Sequence, residues 1–183
     1  MKTIIKGNSI GKVLRVKSSF KVPLSDKKNF RFHKNLGGGA LYDVGFYPIS
    51  IMFTLFKSKK IKLLKSKIIR QNRLDLMGNV NAQNENNVIF DLDWGFRSSY
   101  KNSLIVYGTE GSLLVDFIFS KDVIQDGKII IYRKKKSKVI KVSKSNQINL
   151  AFKDMLSNKS KLFNERYQTS LSILNIIERL EKK

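Results

Sequence analysis

The fold is decided by the segment 37-GGGALYDVGFYPI-49, in which three consecutive glycines end a polar loop and an apolar run begins. The apolar residues continue from Ala40 to Phe56, and a run of that length favours a buried helix over a strand. Gly45 and Pro48 interrupt the pattern. We expect a kink near Pro48, because a proline ring clashes with the carbonyl group four residues earlier.

The residues on either side of this helix follow a strand period. Residues 11–22 carry apolar side chains on one face and basic ones on the other, which predicts a strand. Strands are also predicted, in chain order, for residues 61–71, 88–94, 103–107, 112–119, 128–133 and 139–142.

The last part of the sequence has the spacing of amphipathic helices. One short helix is predicted over residues 148–156, and a longer one begins at an N-cap on Asn164. The apolar positions that we expect to pack the longer helix against the sheet are Tyr167, Leu171, Leu174, Ile177 and Leu180.

The order of elements predicts an α+β fold. It consists of one predominantly antiparallel, open-faced sheet with helices packed on one side, in a single domain over residues 1–183. There is no alternation of strands and helices, and no G-x-G-x-x-G sequence follows a strand. We therefore expect a Rossmann domain to be absent from this chain.

The composition excludes several classes of site. The 183 residues contain no cysteine, which rules out disulfides, a thiolate nucleophile and cysteine zinc sites. The only histidine is His33, so a histidine-rich metal site is not expected, and we assign no metal ligand. The N-terminal apolar stretch is too short for a signal peptide, and no apolar run reaches the ~20 residues of a membrane-spanning helix. These features predict a cytoplasmic protein.

The charge is strongly basic, with 36 Lys and Arg against 14 Asp and Glu and a net charge of +22. Two clusters, residues 57–67 and 133–141, contain much of the excess. Only eight of the basic residues are arginine, the residue that nucleic-acid sites favour for bidentate contacts. A solvated basic surface is the preferred interpretation, with no specific nucleic-acid partner. The alternative is a module that binds nucleic acid or an anionic surface, which requires both clusters to converge on one face.

Four stretches, in this order and spacing, resemble the C-terminal domain of the Gfo/Idh/MocA oxidoreductases. They are Gly11-Lys12-Val13, Asn29-Phe30-Arg31, the segment 37–49 and 104-LIVYGTEGSL-113. The motifs are most similar to those of glucose–fructose oxidoreductase and dimeric dihydrodiol dehydrogenase. The resemblance extends over residues 1–180.

The resemblance implies a function that this chain performs only in part. Members of the family have a Rossmann domain that binds NAD or NADP and carries a catalytic lysine, and neither of its motifs occurs here. We therefore expect a substrate-binding and oligomerisation domain, acting on a CH–OH group of a sugar or polyol and inactive without a Rossmann half. The implied partners are a separate Rossmann domain, a sugar-like substrate and further copies of the chain, bound through the open sheet face. A non-catalytic remnant that only assembles is the second alternative.

The resemblance also implies site residues. Asp43 and Tyr47 match the family's catalytic aspartate and tyrosine, and positions i and i+4 share one face of a helix. A phenol is a poor base near neutral pH without a nearby cation. Arg31 and Trp94 are the expected substrate-binding residues, although Arg31 could instead tie its loop to the sheet and Trp94 could belong to the core. Asp43 could likewise be a capping carboxylate, and Tyr47 a core aromatic residue. No residue of this chain is expected to bind the cofactor.

Overall fold

A computed structural model describes residues 1–26, 28–123, 126–157 and 160–182 of the chain. Eight strands form one sheet: β1 (Val13–Lys21), β2 (Ile61–Gln71), β3 (Leu74–Asn84), β4 (Ile89–Gly95), β5 (Lys101–Gly108), β6 (Gly111–Asp116), β7 (Gly127–Arg133) and β8 (Lys136–Val142). Their order across the sheet is β2-β3-β4-β1-β5-β6-β7-β8. Neighbouring strands run antiparallel, except that β1 and β4 are parallel.

The α-helices of the described residues are α1 (Lys2–Lys6), α2 (Phe46–Thr54), α3 (Gln147–Leu156) and α4 (Ser160–Glu181). Helix α2 contacts β1 and β4, and α4 packs against α2. The predicted α+β class, with an open sheet and helices on one side, is therefore confirmed. None of the helices in the described ranges combines the length and the apolar content that crossing a bilayer requires.

The core lies between the sheet and the α2 and α4 helices. The central strands contribute cross-strand apolar pairs such as Val16 with Phe90 and Val16 with Val106, all fully buried. Burial of such side chains contributes about 1.5–3 kcal/mol each to folding. The alternate positions of the same strands face the other side of the sheet, which no other described element covers.

The predicted helix over Ala40–Phe56 is divided into two parts. Leu41–Gly45 form a π-helical turn with i to i+5 hydrogen bonds, and the regular helix α2 begins only at Phe46. Pro48 therefore lies in the first turn of α2, where a missing amide proton is tolerated. The irregular backbone ends at Gly45, before the proline, whereas the sequence predicts a kink near Pro48 that its ring would cause. Single π turns of this kind occur frequently at functional sites.

Strand β3 is absent from the sequence prediction. Its buried positions alternate regularly, with Leu74, Leu76, Val80 and Ala82 all under one tenth exposed. The positions between them are rich in asparagine, which has a low strand propensity, and this composition conceals the strand. The missing strand fills the place between β2 and β4 and makes the sheet continuous.

The packing face of α4 differs from the predicted one. Ile177 and Leu180 are fully buried as expected, but Tyr167, Leu171 and Leu174 are 53%, 43% and 39% exposed. In the part of the helix whose side chains the structure describes, the other buried residues are Ile173 and Ile176. The helix therefore has two apolar faces, and the spacing rule combined residues from both. The predicted N-cap Asn164 lies inside the helix, which begins at Ser160.

The two faces of α4 predict unequal responses to truncation. We expect Ile177→Ala to reduce the free energy of unfolding by about 2–5 kcal/mol, because the truncation leaves a cavity in the core. Leu174→Ala, the matched change on the exposed face, should cost under about 1 kcal/mol. Urea unfolding followed by circular dichroism measures both values. Equal losses in the two variants would contradict this packing.

Candidate functional site

Asp43 and Tyr47 lie on consecutive turns of the helical segment that crosses β1 and β4. Asp43 belongs to the π-helical turn and Tyr47 to the first turn of α2. Both side chains reach the surface, with the Asp43 side chain 30% exposed and Tyr47 40% exposed. The two predicted catalytic groups are therefore accessible from solvent on one exposed part of the helix.

Arg31 holds Asp43 through an ion pair. The Arg31 Nε atom donates to Asp43 Oδ2 at 2.7 Å, and the two side chains are each about one third exposed. The Asn29 side chain accepts a hydrogen bond from the Arg31 amide group, and the Arg31 carbonyl group accepts one from the Gly39 amide group. The Arg31–Asp43 pair and the Gly39–Arg31 bond thus attach the loop to the start of the helix at two points, and the Asn29 side chain shapes the loop itself. Arg31 therefore ties its loop to the start of the helix, whereas the alternative from the sequence was a tie to the sheet. Its role in substrate binding stays a prediction.

The Tyr47 ring lies in an aromatic cluster. Its centroid is 5.0 Å from that of Phe20 at the end of β1 and 5.7 Å from that of Phe119, both in tilted or edge-on arrangements. Phe119 is positioned by Asn102 of β5, whose side-chain oxygen accepts a hydrogen bond from the Phe119 amide group. No described residue makes a hydrogen bond with the Tyr47 hydroxyl group. The ring is fixed by packing while the hydroxyl group stays available to a ligand.

Asp75 fixes the start of the same helical segment, a role that the sequence did not reveal. Its Oδ2 atom accepts a hydrogen bond from the Leu41 amide group. The register shift after Ile69 leaves Leu76 as an extra residue in β3, and such a bulge re-aims the neighbouring side chain, here Asp75, towards the helix. Gly39 has a φ of +130°, and a Cβ atom there would lie 2.3 Å from the Asp75 carboxylate. Glycine is therefore required at this position.

Trp94 belongs to the core, and its predicted role in substrate binding is wrong for this structure. Its side chain has no exposed surface, and the indole ring lies between Gly45 and Gly78. A side chain without accessible surface cannot contact a substrate. Its Nε1 atom has no hydrogen-bond acceptor among the described residues. Trp94 instead supports the helix that carries Asp43 and Tyr47.

The two basic clusters lie at opposite edges of the sheet. Residues 57–67 lead into and form most of β2, and residues 133–141 include the hairpin between β7 and β8. Seven strand spacings separate these edges, which is about 34 Å in a flat sheet. The clusters do not converge on one site, so the structure gives no support to the nucleic-acid alternative.

Two comparisons relate the sequence to known proteins. The family model described as GFO/IDH/MocA C-terminal domain matches residues 1–114. The dTDP-3,4-didehydro-2,6-dideoxy-alpha-D-glucose 3-reductase of Saccharopolyspora spinosa is 27% identical over 135 residues, which are 73% of this chain and 41% of that protein. The same enzyme of Streptomyces antibioticus is 24% identical over 132 residues, 71% of this chain and 40% of that protein. The matches span about two fifths of these curated relatives.

Solved structures share the fold over nearly the whole chain. A 3-ketoreductase from Actinomadura kijaniata, in complex with NADP and TDP-benzene, superposes with a TM-score of 0.89 at 19% identity, covering 99% of this chain and 57% of that one. An aldose-aldose oxidoreductase from Caulobacter crescentus, complexed with glycerol, gives a TM-score of 0.77 at 15% identity with the same coverage. At these identities the likeness shows the fold alone.

The pH dependence of stability tests the position of Asp75. Burial raises the pKa of Asp75 above its ordinary value of 3.8, and the hydrogen bond from Leu41 opposes that shift only in part. Because the native pKa exceeds the unfolded one, the contribution of Asp75 to stability is largest below the unfolded pKa and falls as the pH rises through the native pKa. Asp75→Asn should abolish this contribution while keeping an acceptor for the Leu41 amide group.

The measurement is urea unfolding of both proteins across the acidic range and up to neutral pH. The unfolding free energy of the parent chain minus that of Asp75→Asn should decrease as the pH rises. A difference that increases with pH would show that the carboxylate is stabilised by its surroundings and would contradict the buried position.

Proposed function

The chain belongs to the GFO/IDH/MocA C-terminal domain family, and on this basis we propose that it is the substrate-binding and oligomerisation domain of an NAD(P)-dependent sugar oxidoreductase. One observation supports the proposal above all. Asp43, paired with Arg31, and the accessible Tyr47 lie on neighbouring turns of one helix, a placement that allows both groups to act on one substrate. A dTDP-linked keto sugar is the first candidate substrate, since the curated relatives are reductases of such a compound.

We assign no dinucleotide site to the described residues. A dinucleotide site is built on parallel strands with a crossover helix and a glycine-rich turn. In the described residues the single parallel pair, β1 with β4, lacks a G-x-G-x-x-G turn at the end of its first strand. We propose that a Rossmann domain outside these 183 residues binds NAD or NADP, whose reduced form would supply the hydride. Without that domain we expect the chain to be inactive.

The chain's own residues supply the proton and the orientation of the substrate. In the reducing direction, a carbonyl carbon gains a hydride and its oxygen gains a proton. The Tyr47 hydroxyl group is the proton donor in our proposal, because no described residue makes a hydrogen bond with it and it can donate to a substrate oxygen. The Asp43 carboxylate accepts hydrogen bonds from substrate hydroxyl groups, and the bond from Arg31 keeps that carboxylate oriented.

The open face of the sheet supports self-association. A row of apolar side chains crosses four strands at directly paired positions: Ile105, Leu114, Ile130 and Val139. The other half of this face is polar, with ion pairs between Arg15 and Asp91 and between Lys21 and Asp93. An apolar row on a solvent-facing sheet is a typical interface feature. We propose that a second copy of the chain covers it.

The catalytic proposal is tested in a chimera. In it, this chain replaces the structurally equivalent part of the Actinomadura kijaniata 3-ketoreductase, and NADPH oxidation is followed with the dTDP-linked keto sugar. We expect Tyr47→Phe and Asp43→Asn to lower kcat by about a hundredfold or more, because each removes a group that acts on the reacting centre. The control Tyr167→Phe makes the same chemical change on α4 and should leave kcat unaltered.

The same experiment separates this function from a purely assembling remnant. A remnant would give a chimera that folds and binds NADPH, yet shows the same residual rate in the parent, Tyr47→Phe and Asp43→Asn forms. That result would contradict a catalytic role for this helix.

Self-association is tested by sedimentation velocity. We expect the chain to be oligomeric and Leu114→Glu to dissociate it, because the new carboxylate would be buried unpaired in the interface. Asn79→Glu adds the same group to the polar half of the open face and should leave the oligomer intact. A parent chain that sediments as a monomer at every concentration would contradict the proposed interface.

A further inference from the structure

A cavity of about 540 Å³ lies between the start of the helical segment, the β2–β3 hairpin and the end of α4. It is lined by residues of the loop before the helical segment, of that segment, of the hairpin and of the end of α4. Arg31, Asp43 and Tyr47 are not among the lining residues. Its volume falls in the range of small-molecule sites, about 300–1,000 Å³. The cavity is therefore large enough for a ligand and distinct from the proposed catalytic groups.

Basic side chains surround the cavity. The loop contributes Lys34, the hairpin Arg70 and Arg73, and the C-terminal end of the chain Lys182. Arg70 is held in place by a hydrogen bond from Nη2 to the Glu181 carbonyl oxygen at 3.1 Å. Arg73 lies in the two-residue turn between β2 and β3. Its φ of +64° is the left-handed conformation that such a hairpin turn requires. Neither Arg73 nor either lysine has an ion-pair partner among the described residues.

The two acidic groups of the cavity already have hydrogen-bond donors. Asp75 accepts a hydrogen bond from the Leu41 amide group, and Glu181 Oε2 accepts one from the Tyr42 hydroxyl group at 2.8 Å. Burial and the bond to Glu181 raise the pKa of Tyr42 to about 12, so the phenol remains a neutral donor. Four basic residues face two acidic ones, and the cavity keeps a net positive charge.

We propose that this cavity is a binding site for the diphosphate group of a small-molecule ligand. Arginine guanidinium groups match phosphate oxygens in pairs, and lysine ammonium groups add point charges. Two arginines and two lysines around one cavity suit two adjacent phosphates better than a single one. The proposal does not depend on the proposed oxidoreductase function, because it uses other residues and needs no cofactor.

Isothermal titration calorimetry of the intact chain at physiological ionic strength tests the site. The probes are inorganic diphosphate, dTDP and thymidine. We expect diphosphate and dTDP to bind with a stoichiometry of one per chain and thymidine not to bind. Tighter binding of dTDP than of diphosphate would identify a nucleotide ligand, whereas equal affinities would identify the free anion or another diphosphate compound. Binding of thymidine as tight as that of dTDP would overturn the diphosphate assignment.

Two matched variants distinguish a built site from the general charge of the chain. Arg73→Gln removes one positive charge from the cavity and should weaken diphosphate binding by about tenfold or more, as expected for a charged hydrogen-bonding group. Lys138→Gln removes the same charge from β8 at the far edge of the sheet, and should change the affinity by less than about twofold. Circular dichroism establishes that both variants are folded.

Equal losses in Arg73→Gln and Lys138→Gln, several weak sites per chain, or no binding of diphosphate would each overturn the proposal. Arg70→Lys provides a second readout that keeps the charge but removes the paired geometry. It should weaken diphosphate binding, and an unaltered affinity would show that only the charge acts there. If the chimera is inactive but the chain binds diphosphate as described, the catalytic proposal fails and the diphosphate site is supported. If the chimera is active but the chain does not bind diphosphate, the diphosphate site fails and the catalytic proposal is supported.

Discussion

The close approach of the helical segment to the Trp94 indole ring is the constraint on which the site depends. A Cβ atom on Gly45 would lie 3.0 Å from this ring, so the helix backbone rests directly on the indole without an intervening side chain. Gly45 stands midway between Asp43 and Tyr47 in the sequence. The height of both groups above the sheet is therefore set by one contact between backbone and ring. This arrangement leaves the Trp94 Nε1 atom buried without an acceptor among the described residues. A buried donor without a partner lowers the free energy of unfolding by about 1–3 kcal/mol.

Most of the sheet could be predicted from the sequence, because alternation of apolar and polar residues is a local signal. The signal failed for β3, where Gly78, Asn79 and Asn81 lie among the less buried positions and lower the strand propensity. It also failed on α4, since spacing alone cannot distinguish an apolar face that meets the core from one that remains exposed. The bulge that turns Asp75 towards the helix depends on the register with β2, which no local pattern encodes.

The parts of the site that depend on a motif within one helix could be predicted from the sequence. The parts that depend on which side chains are buried could not. Asp43 and Tyr47 are four residues apart, and this spacing brings them to neighbouring turns whatever the rest of the chain does. The ion pair with Arg31 joins residues twelve apart through a loop, and the sequence left its role open. The sequence also left Trp94 open between a substrate pocket and the core, because an aromatic residue in a strand looks the same whether its side chain faces a cavity or the core; the structure places it in the core.

The exposure of the Arg31–Asp43 pair has a consequence for a domain that acts with a second one. At about one third exposure the pair contributes little to stability, about 0.2–1 kcal/mol or less. Covering the helix with another domain would remove water, and the same charges would interact more strongly in the lower dielectric. The chain by itself already orders the two charged side chains, because the loop bonds hold the Arg31 Nε atom 2.7 Å from the Asp43 carboxylate. The geometry of this half-site can therefore exist before a partner arrives, while its electrostatic strength develops only on closure.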